Sequence, residues 1–528
     1  MDEGTSHLTS PYDEVLYPSK TLPQTHPSRL ATVAFLRGMQ PAPIGRCRVL
    51  ELGCGTAANL IPMAFHHPES EFVGLDSAER PIALGRSIIS DLGLRNITLH
   101  LMDLREAKPE QLSYFDYIIA HGVYSWVPQP VRERLLAISR ELLNPQGVAY
   151  VSYNAYPGNH FRDLVRGMMR FHISAFETPS DKIGQARGLL KFLSDSKTKS
   201  DYYLDVIRAE LHRLLKYSDT GFFHDDLNEI NQPFYFHEFI GDARRHRLQF
   251  VGEAGPNDLN LAELSPEVSS KMHALENGDE IVREQFKDFI RGTAFRQTLL
   301  CRAELELAPR LLGDRVRRLY TRCDAVQVAT TENEGPLKAV FQQASGVKVE
   351  IVHPLIASAV SYICSQYPRS VSFDELLQTT RSMNGSRSGT DDQSDEAATL
   401  EGALAQLYQQ GFLLLSICPA KVVNRVSERP AASTLARFQL KNGQPATNSL
   451  HMSFQFPDPF ARQLLLLLDG TRDRQTLARD LLAFSKAKEG AIFETGVAVK
   501  DLEELSAAIE RRLPSGLQSL AREGMLVG

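Results

Sequence analysis

The sequence predicts an α/β fold: a doubly wound, mostly parallel seven-stranded sheet, carrying a helical insertion and a C-terminal winged-helix-like domain. Three observations lead there. Over the first 150 residues short apolar runs alternate with amphipathic helical patterns, the order that builds a parallel sheet covered on both faces. The first run ends in Gly53-Cys54-Gly55 and passes directly into a helical pattern. Acids, Asp76 and Asp103, close the second and third runs, at the strand ends where such sheets bind ligands.

Each element has its own signal. Residues 1–25 are polar and Pro/Tyr-rich (Pro11-Tyr12, Tyr17-Pro18, Pro23) without a period, and read as an N-terminal arm. A helix starts at Pro27, because proline suits the first helical turn, and runs through Leu30, Val33, Ala34 and Leu36 to about Met39. Strands are predicted at 48–52, 72–75, 97–102, 115–120 and 148–153, and helices at 59–65, 80–92 and 131–143. Asn144-Pro145-Gln146-Gly147 stops the last of these helices. Residues 26–159 thus form the core, and after Tyr153 the alternation breaks. Residues 160–235 read as a helical insertion or cap, with Leu204, Ile207, Leu211, Leu214 and Leu215 at helical spacing. A helix at 237–247 and strands at 248–251 and 295–301 finish the sheet within 236–305, and 306–344 read as a helical connector. Residues 345–528 repeat one layout twice: helices opening at Pro354 and near Phe373, then 400–410 before Gly411; and helices opening at Pro459 and near Thr476, then 502–523 before Gly524. Three helices, a glycine and an apolar strand make a winged-helix-like unit. The Ser/Gly/Asp-rich stretch 381–396 reads as a disordered loop.

Composition narrows the classes. The chain has 528 residues, 43% apolar and 23% charged, which is globular composition and too long for one core. Its net charge of −6 gives no general attraction to nucleic acid or anionic lipid. Six cysteines without a C-x-x-C pair fit reduced thiols, and the start Met1-Asp2-Glu3 lacks a signal-peptide pattern. No apolar stretch is long enough to insert in a membrane. A cytoplasmic protein is expected.

The densest local signal is Val49-Leu50-Glu51-Leu52-Gly53-Cys54-Gly55-Thr56-Ala57-Ala58-Asn59. Gly53 and Gly55 let a ligand approach bare backbone at a helix start. Read as G-x-G-x-x-A it also fits a dinucleotide fingerprint. Glu51 ends its strand as an acceptor for a cationic or amide group, and Asp76 stands where ribose hydroxyls are held. Asp103 either reaches an adenine amine or caps a helix start at Leu104-Arg105-Glu106.

With these acids in place the chain resembles class I S-adenosylmethionine-dependent methyltransferases. It is similar, more narrowly, to bacterial methyltransferases that carry a methyltransferase regulatory domain. The motifs are Gln24-Thr25-His26-Pro27-Ser28-Arg29-Leu30, Asn59-Leu60-Ile61-Pro62-Met63-Ala64, His121-Gly122-Val123-Tyr124-Ser125-Trp126-Val127 and Ser152-Tyr153-Asn154-Ala155-Tyr156-Pro157-Gly158. Phe234-Tyr235-Phe236-His237-Glu238-Phe239, Asp288-Phe289-Ile290-Arg291, Pro459-Phe460-Ala461-Arg462 and Leu468-Asp469-Gly470-Thr471 extend the match over nearly the whole chain. The resemblance implies S-adenosyl-L-methionine as cofactor, a regulatory region within 236–305, and protein-lysine methylation of bacterial outer-membrane surface proteins. Ala57 in place of a third glycine, and Asn159 where tryptophan often follows Pro-Gly, depart from the pattern.

Methyl transfer needs positioned reactants and a neutral amine, and aromatic faces tolerate a cation while excluding water. Tyr124 and Trp126 are expected to wall the pocket, Tyr153 or Tyr156 to accept a bond from the amine, and His121 to orient rather than act as base. The same aromatics could instead pack beneath the insertion. His224-Asp225-Asp226 and His237-Glu238 have metal-ligand residue types, but a helix start at Asp225 and another at His237 explain them without a metal. From Ala446 to Gly528 ten Lys/Arg stand against eleven Asp/Glu, too few for a DNA-recognition surface. The tail is therefore expected to bind protein or pack on the core. A small-molecule N- or O-methyltransferase, a nicotinamide-dependent oxidoreductase and a non-catalytic regulator remain the alternatives.

Overall fold

The computed structural model describes residues 11–17, 19–196, 201–255, 265–311, 313–331, 338–384, 390–487, 493–494, 497–498 and 502–527. Seven strands form the central sheet: β1 (Arg48–Leu52), β2 (Glu71–Asp76), β3 (Ile97–Leu101), β4 (Phe115–Ala120), β5 (Leu143–Asn154), β6 (Leu248–Glu253) and β7 (Phe295–Arg302). Their order is β3-β2-β1-β4-β5-β7-β6. β1 to β5 run parallel, and β7 lies antiparallel between β5 and β6. The order reverses at β1, so the crevice for a ligand opens between the carboxyl ends of β1 and β4.

Side-chain alternation along β1 builds both faces. Leu50 and Leu52 pack with residues of the helices Gln129–Glu141 and Phe236–Arg245, while Val49 packs with those of Pro27–Leu36 and Leu60–His66. Each such side chain contributes roughly 1.5–3 kcal/mol by leaving water. Glu51 shares the face of Val49, and that places a carboxylate inside an apolar layer. β5 begins earlier than its sequence pattern: Leu143 pairs with Phe115, and the register shifts before Val148 meets Tyr117. The Asn144–Gly147 stop therefore ends the helix and also starts the strand. Gly147 is needed there because a Cβ would lie 2.8 Å from the Leu143 side chain and 3.0 Å from the Asp116 carbonyl.

The insertion consists of helices Asn159–Ile173, Pro179–Asp195, Tyr202–Leu214 and Asp219–Asp226 around Val165, Met169, Leu190, Ile207 and Phe222. The helix start expected at Asp225 is a correction. The helix opens at Asp219 with Ser218 Oγ accepting from Gly221 N, so Asp225 and Asp226 fall in its last turn. Acids there oppose the helix dipole, and Asp226 is held by Arg162 at 2.8 Å and Arg213 at 3.0 Å. His224 bonds the Val15 carbonyl and His237 bonds Gln285, so the two histidines serve separate contacts.

The connector expected to be helical at 306–344 is a second correction. It holds a 3-10 turn, Gly313–Arg318, and three strands, Tyr320–Arg322, Val326–Thr331 and Lys338–Gln342. Tyr320–Arg322 pairs with both Val371–Ser372 and Leu414–Ser416, so the first winged-helix-like unit reaches back past 345. Its helices are Pro354–Gln366, Phe373–Asn384 and Thr390–Gln409. Most of the stretch 381–396 is thus helical, closed by Arg381 to Glu396 at 3.0 Å, and 385–389 lie outside the described residues. The second unit has helices Thr434–Lys441, Pro459–Leu467, Arg474–Ala487 and Leu502–Arg522 and a hairpin of Ala446–Thr447 and Ser453–Phe454. Both units pack on the sheet domain: Phe35 and Leu36 enter the core of the first, and Leu435 of the second enters the core beside β1. Among the described residues no helix is long and apolar enough to cross a membrane.

Candidate active site

The loop after β1 is shaped by backbone geometry. Gly53 N and Cys54 N both donate to the Leu75 carbonyl, at 2.8 and 3.1 Å. Gly53 has φ +72°, and a Cβ there would lie 2.6 Å from Val123 Cγ2. Gly55 N donates to Asp76 Oδ2 at 2.7 Å, and Ala78 N to Asp76 Oδ1 at 2.9 Å. Burial raises the Asp76 carboxyl above its ordinary value, opposed by these amides. Ala57 adopts φ +55° although fully buried. It keeps the left-handed conformation a third glycine would have taken, at about 1–2 kcal/mol.

Glu51 is 4% exposed. Its Oε1 accepts from Asn59 Nδ2 at 2.8 Å, while Oε2 is buried with no partner. Burial, and then the Asp76 charge, push its carboxyl up to about 8 against the Asn59 bond. Asn59 stands at the start of helix Leu60–His66 without capping it. Its Oδ1 accepts from Leu22 N at 3.0 Å and from His451 Nε2 at 2.8 Å.

The ends of β4 and β5 face the same crevice. His121 Nδ1 lies 2.9 Å from the Tyr150 hydroxyl, and its ring meets Phe295 edge-on at 5.9 Å. Burial, aided by Lys20, lowers the imidazole to about 4, so it is neutral near pH 7. Gly122 N donates to Ser152 Oγ at 2.8 Å. Tyr124 and Tyr153, expected to wall the pocket and bind the amine, are each 1% exposed. The Tyr124 hydroxyl donates to Asp242 at 2.9 Å, the Tyr153 hydroxyl lies 3.2 Å from Thr298 Oγ1, and the Tyr153 ring stacks on Phe239. Both rings pack against Phe234 and Phe239. Trp126 is half-buried in the 3-10 turn Tyr124–Trp126. Tyr156 stacks on His160 with centroids 4.0 Å apart and donates to Asp163 at 2.8 Å, which ties it to the insertion. Asn159 is buried and donates to the Ala155 carbonyl at 2.9 Å, an anchoring contact rather than an aromatic wall. Asp103 caps the turn Leu104–Glu106 through Arg105 N at 2.8 Å and pairs with the Arg105 guanidinium.

The N-terminal arm expected at 1–25 also reaches this site, which its sequence did not show. Asp13 Oδ1 accepts from Arg80 N at 2.9 Å beyond β2, and Ser19 Oγ lies 3.7 Å from where a Gly55 Cβ would stand. Leu22 N reaches Asn59, so the arm crosses the carboxyl ends of the sheet. The only signal was the motif from Gln24 to Leu30. His451 had none, being almost 400 residues from Asn59 in sequence.

Three family models match the chain: a methyltransferase domain over 49–147, a predicted methyltransferase regulatory domain over 218–302, and the PKMT C-terminal winged helix domain over 428–525. An uncharacterized protein of Rickettsia prowazekii is 30% identical over 99% of this chain and 95% of its own length. Protein-L-isoaspartate O-methyltransferase of Roseiflexus is 31% identical over 28% of this chain and 67% of its own length. The structure of PKMT2 from Rickettsia typhi in complex with AdoHcy matches with a TM-score of 0.85 and 28% identity, covering 97% of this chain and all of that one.

Proposed function

The chain belongs to the S-adenosylmethionine-dependent methyltransferases that join a methyltransferase domain, a methyltransferase regulatory domain and a C-terminal winged-helix domain, and from that premise we propose that its acceptor is a protein lysine. The observation that carries the proposal is the end-to-end likeness to PKMT2, which includes the insertion and both tail units. A bacterial outer-membrane surface protein is the substrate class we propose.

The residues fit the cofactor on the structure's own terms. An unpartnered carboxylate oxygen of Glu51 is buried beside a glycine turn, and Asp76 closes the neighbouring strand. Glu51, Gly53, Gly55, Asn59 and Asp76 would hold S-adenosyl-L-methionine, with Asp103 and His121 at the adjoining strand ends. When bound, the cofactor supplies an electrophilic sulfonium methyl group for in-line transfer. The chain's part is then positioning and dehydration. A lysine amine, ordinarily near 10.4, loses its proton more readily in a site where apolar walls exclude water. Trp126, Tyr156 and Phe295 would supply those walls. His121, held neutral and bonded to Tyr150, orients and is too weak a base to take a lysine proton near pH 7. The test is incubation with tritiated S-adenosylmethionine and a bacterial outer-membrane extract, followed by mapping of the label. Label on lysine of a protein supports the proposal; label confined to carboxylates, hydroxyls or small molecules overturns it.

A further inference from the structure

The polar chain beneath the glycine turn begins in the second winged-helix-like unit. His451 sits in the turn between Ala446–Thr447 and Ser453–Phe454, at φ +61°. That turn is tied to its own domain. Asn448 Oδ1 accepts from Leu450 N and Met452 N at 3.0 and 2.9 Å, and Asn448 Nδ2 donates to the Glu523 carbonyl at 2.6 Å. The imidazole is 3% exposed and donates through Nε2 to Asn59 Oδ1. Asn59 in turn donates to Glu51. A second tie, Thr21 Oγ1 to Ser453 Oγ at 2.6 Å, fastens the arm to the same hairpin.

An amide side chain has distinct ends, and its donors and acceptors decide which way it points. With His451 and Leu22 N both donating to Oδ1, Nδ2 is turned toward Glu51 Oε1 and Thr25 Oγ1, which accept at 2.8 and 2.9 Å. We propose that His451 is a positioning residue for the cofactor site: the winged-helix unit reaches across the molecule to fix Asn59, which fixes the buried Glu51 carboxylate. This inference rests on the reading of Glu51 as a cofactor-binding acid. The C-terminal unit thereby completes the site of the sheet domain.

Full-length wild type, His451→Leu, His451→Gln and Glu51→Gln are compared by calorimetric titration with S-adenosylhomocysteine and by steady-state methylation. Loss of the His451 bond raises the Kd, and the KM for S-adenosylmethionine, by roughly tenfold in His451→Leu, with kcat changed less than twofold. His451→Gln, whose amide can donate to Asn59, restores both. A purely structural defect lowers binding stoichiometry and kcat and leaves Kd and KM unmoved, and that result overturns the proposal. Unchanged affinity in His451→Leu with weakened affinity in Glu51→Gln also overturns it, leaving the reading of Glu51 intact. Wild-type affinity in Glu51→Gln overturns that reading and this inference with it.

Discussion

On the reading of Glu51 as a cofactor-binding acid, its protonation makes cofactor binding depend on pH. The free site holds this carboxyl at about 8, chiefly by burial, so below pH 8 it is mostly protonated. A ligand whose ammonium group needs the carboxylate must first drive the proton off. That costs about 2.7 kcal/mol at pH 6 and about 0.8 kcal/mol at pH 7.5. The difference of about 2 kcal/mol means roughly twentyfold weaker S-adenosylhomocysteine binding at the lower pH. An α-amino group with an ordinary value of about 7.7–8.0 is still more than half cationic at pH 7.5, so the ligand's own titration changes the affinity by less than about twofold across the window. Calorimetry in two buffers of different ionisation enthalpy at pH 6.5 checks both affinity and the release of close to one proton. In Glu51→Gln the release and the pH dependence disappear. Affinity that is flat from pH 6 to 7.5 with no proton released would refute the idea that Glu51 meets the ligand as a carboxylate.

Three further expectations follow from the site. Asp76→Ala strips an acceptor from Gly55 N and Ala78 N, and charged bonds of about 1.5–3 kcal/mol each predict S-adenosylhomocysteine binding weakened by at least about tenfold in a titration. Tyr124→Phe loses the bond to Asp242 and should lower the unfolding midpoint while leaving the KM for S-adenosylmethionine unmoved; a kcat loss above about tenfold in the folded variant would return Tyr124 to the chemistry. His451, lowered to about 3 by burial and by His66 and His67, packs 5.2 Å from His26, with Lys421 close to His66 and His67. The unfolded chain takes up this proton near 6.5 and the folded one does not, so stability is full above pH 6.5 and falls as pH drops toward 3. By pH 5 the loss is about 2 kcal/mol for this one group, and denaturation of His451→Gln against wild type at pH 7 and 5 should show it missing.

Local patterns exposed much of this molecule because local forces decide those parts. Alternating apolar runs and helices, the glycine turn and the strand-end acids stood out, since each is a short-range requirement of a buried parallel strand or a tight turn. The errors have a common origin. The strand Tyr320–Arg322 is too short to show a period and exists because Val371 and Leu414 pair with it from about 50 and 90 residues away. Asp225 and Asp226 looked like a first turn because acids favour that place, but two arginines from other helices reversed the preference.

The sequence by itself determined where this sheet would bind a ligand: Glu51, Gly53, Gly55 and Asp76 are spaced by the strands that carry them, and strand geometry puts such groups at the carboxyl ends of the sheet. Only the tertiary structure decided which of the aromatic residues are buried. Tyr124 and Tyr153 have the composition of a pocket, yet their rings are buried and their hydroxyls end on half-buried Asp242 and buried Thr298. The same holds for His451. No spacing rule links positions 451, 59 and 51; the folded chain joins them because a buried amide must satisfy both of its ends.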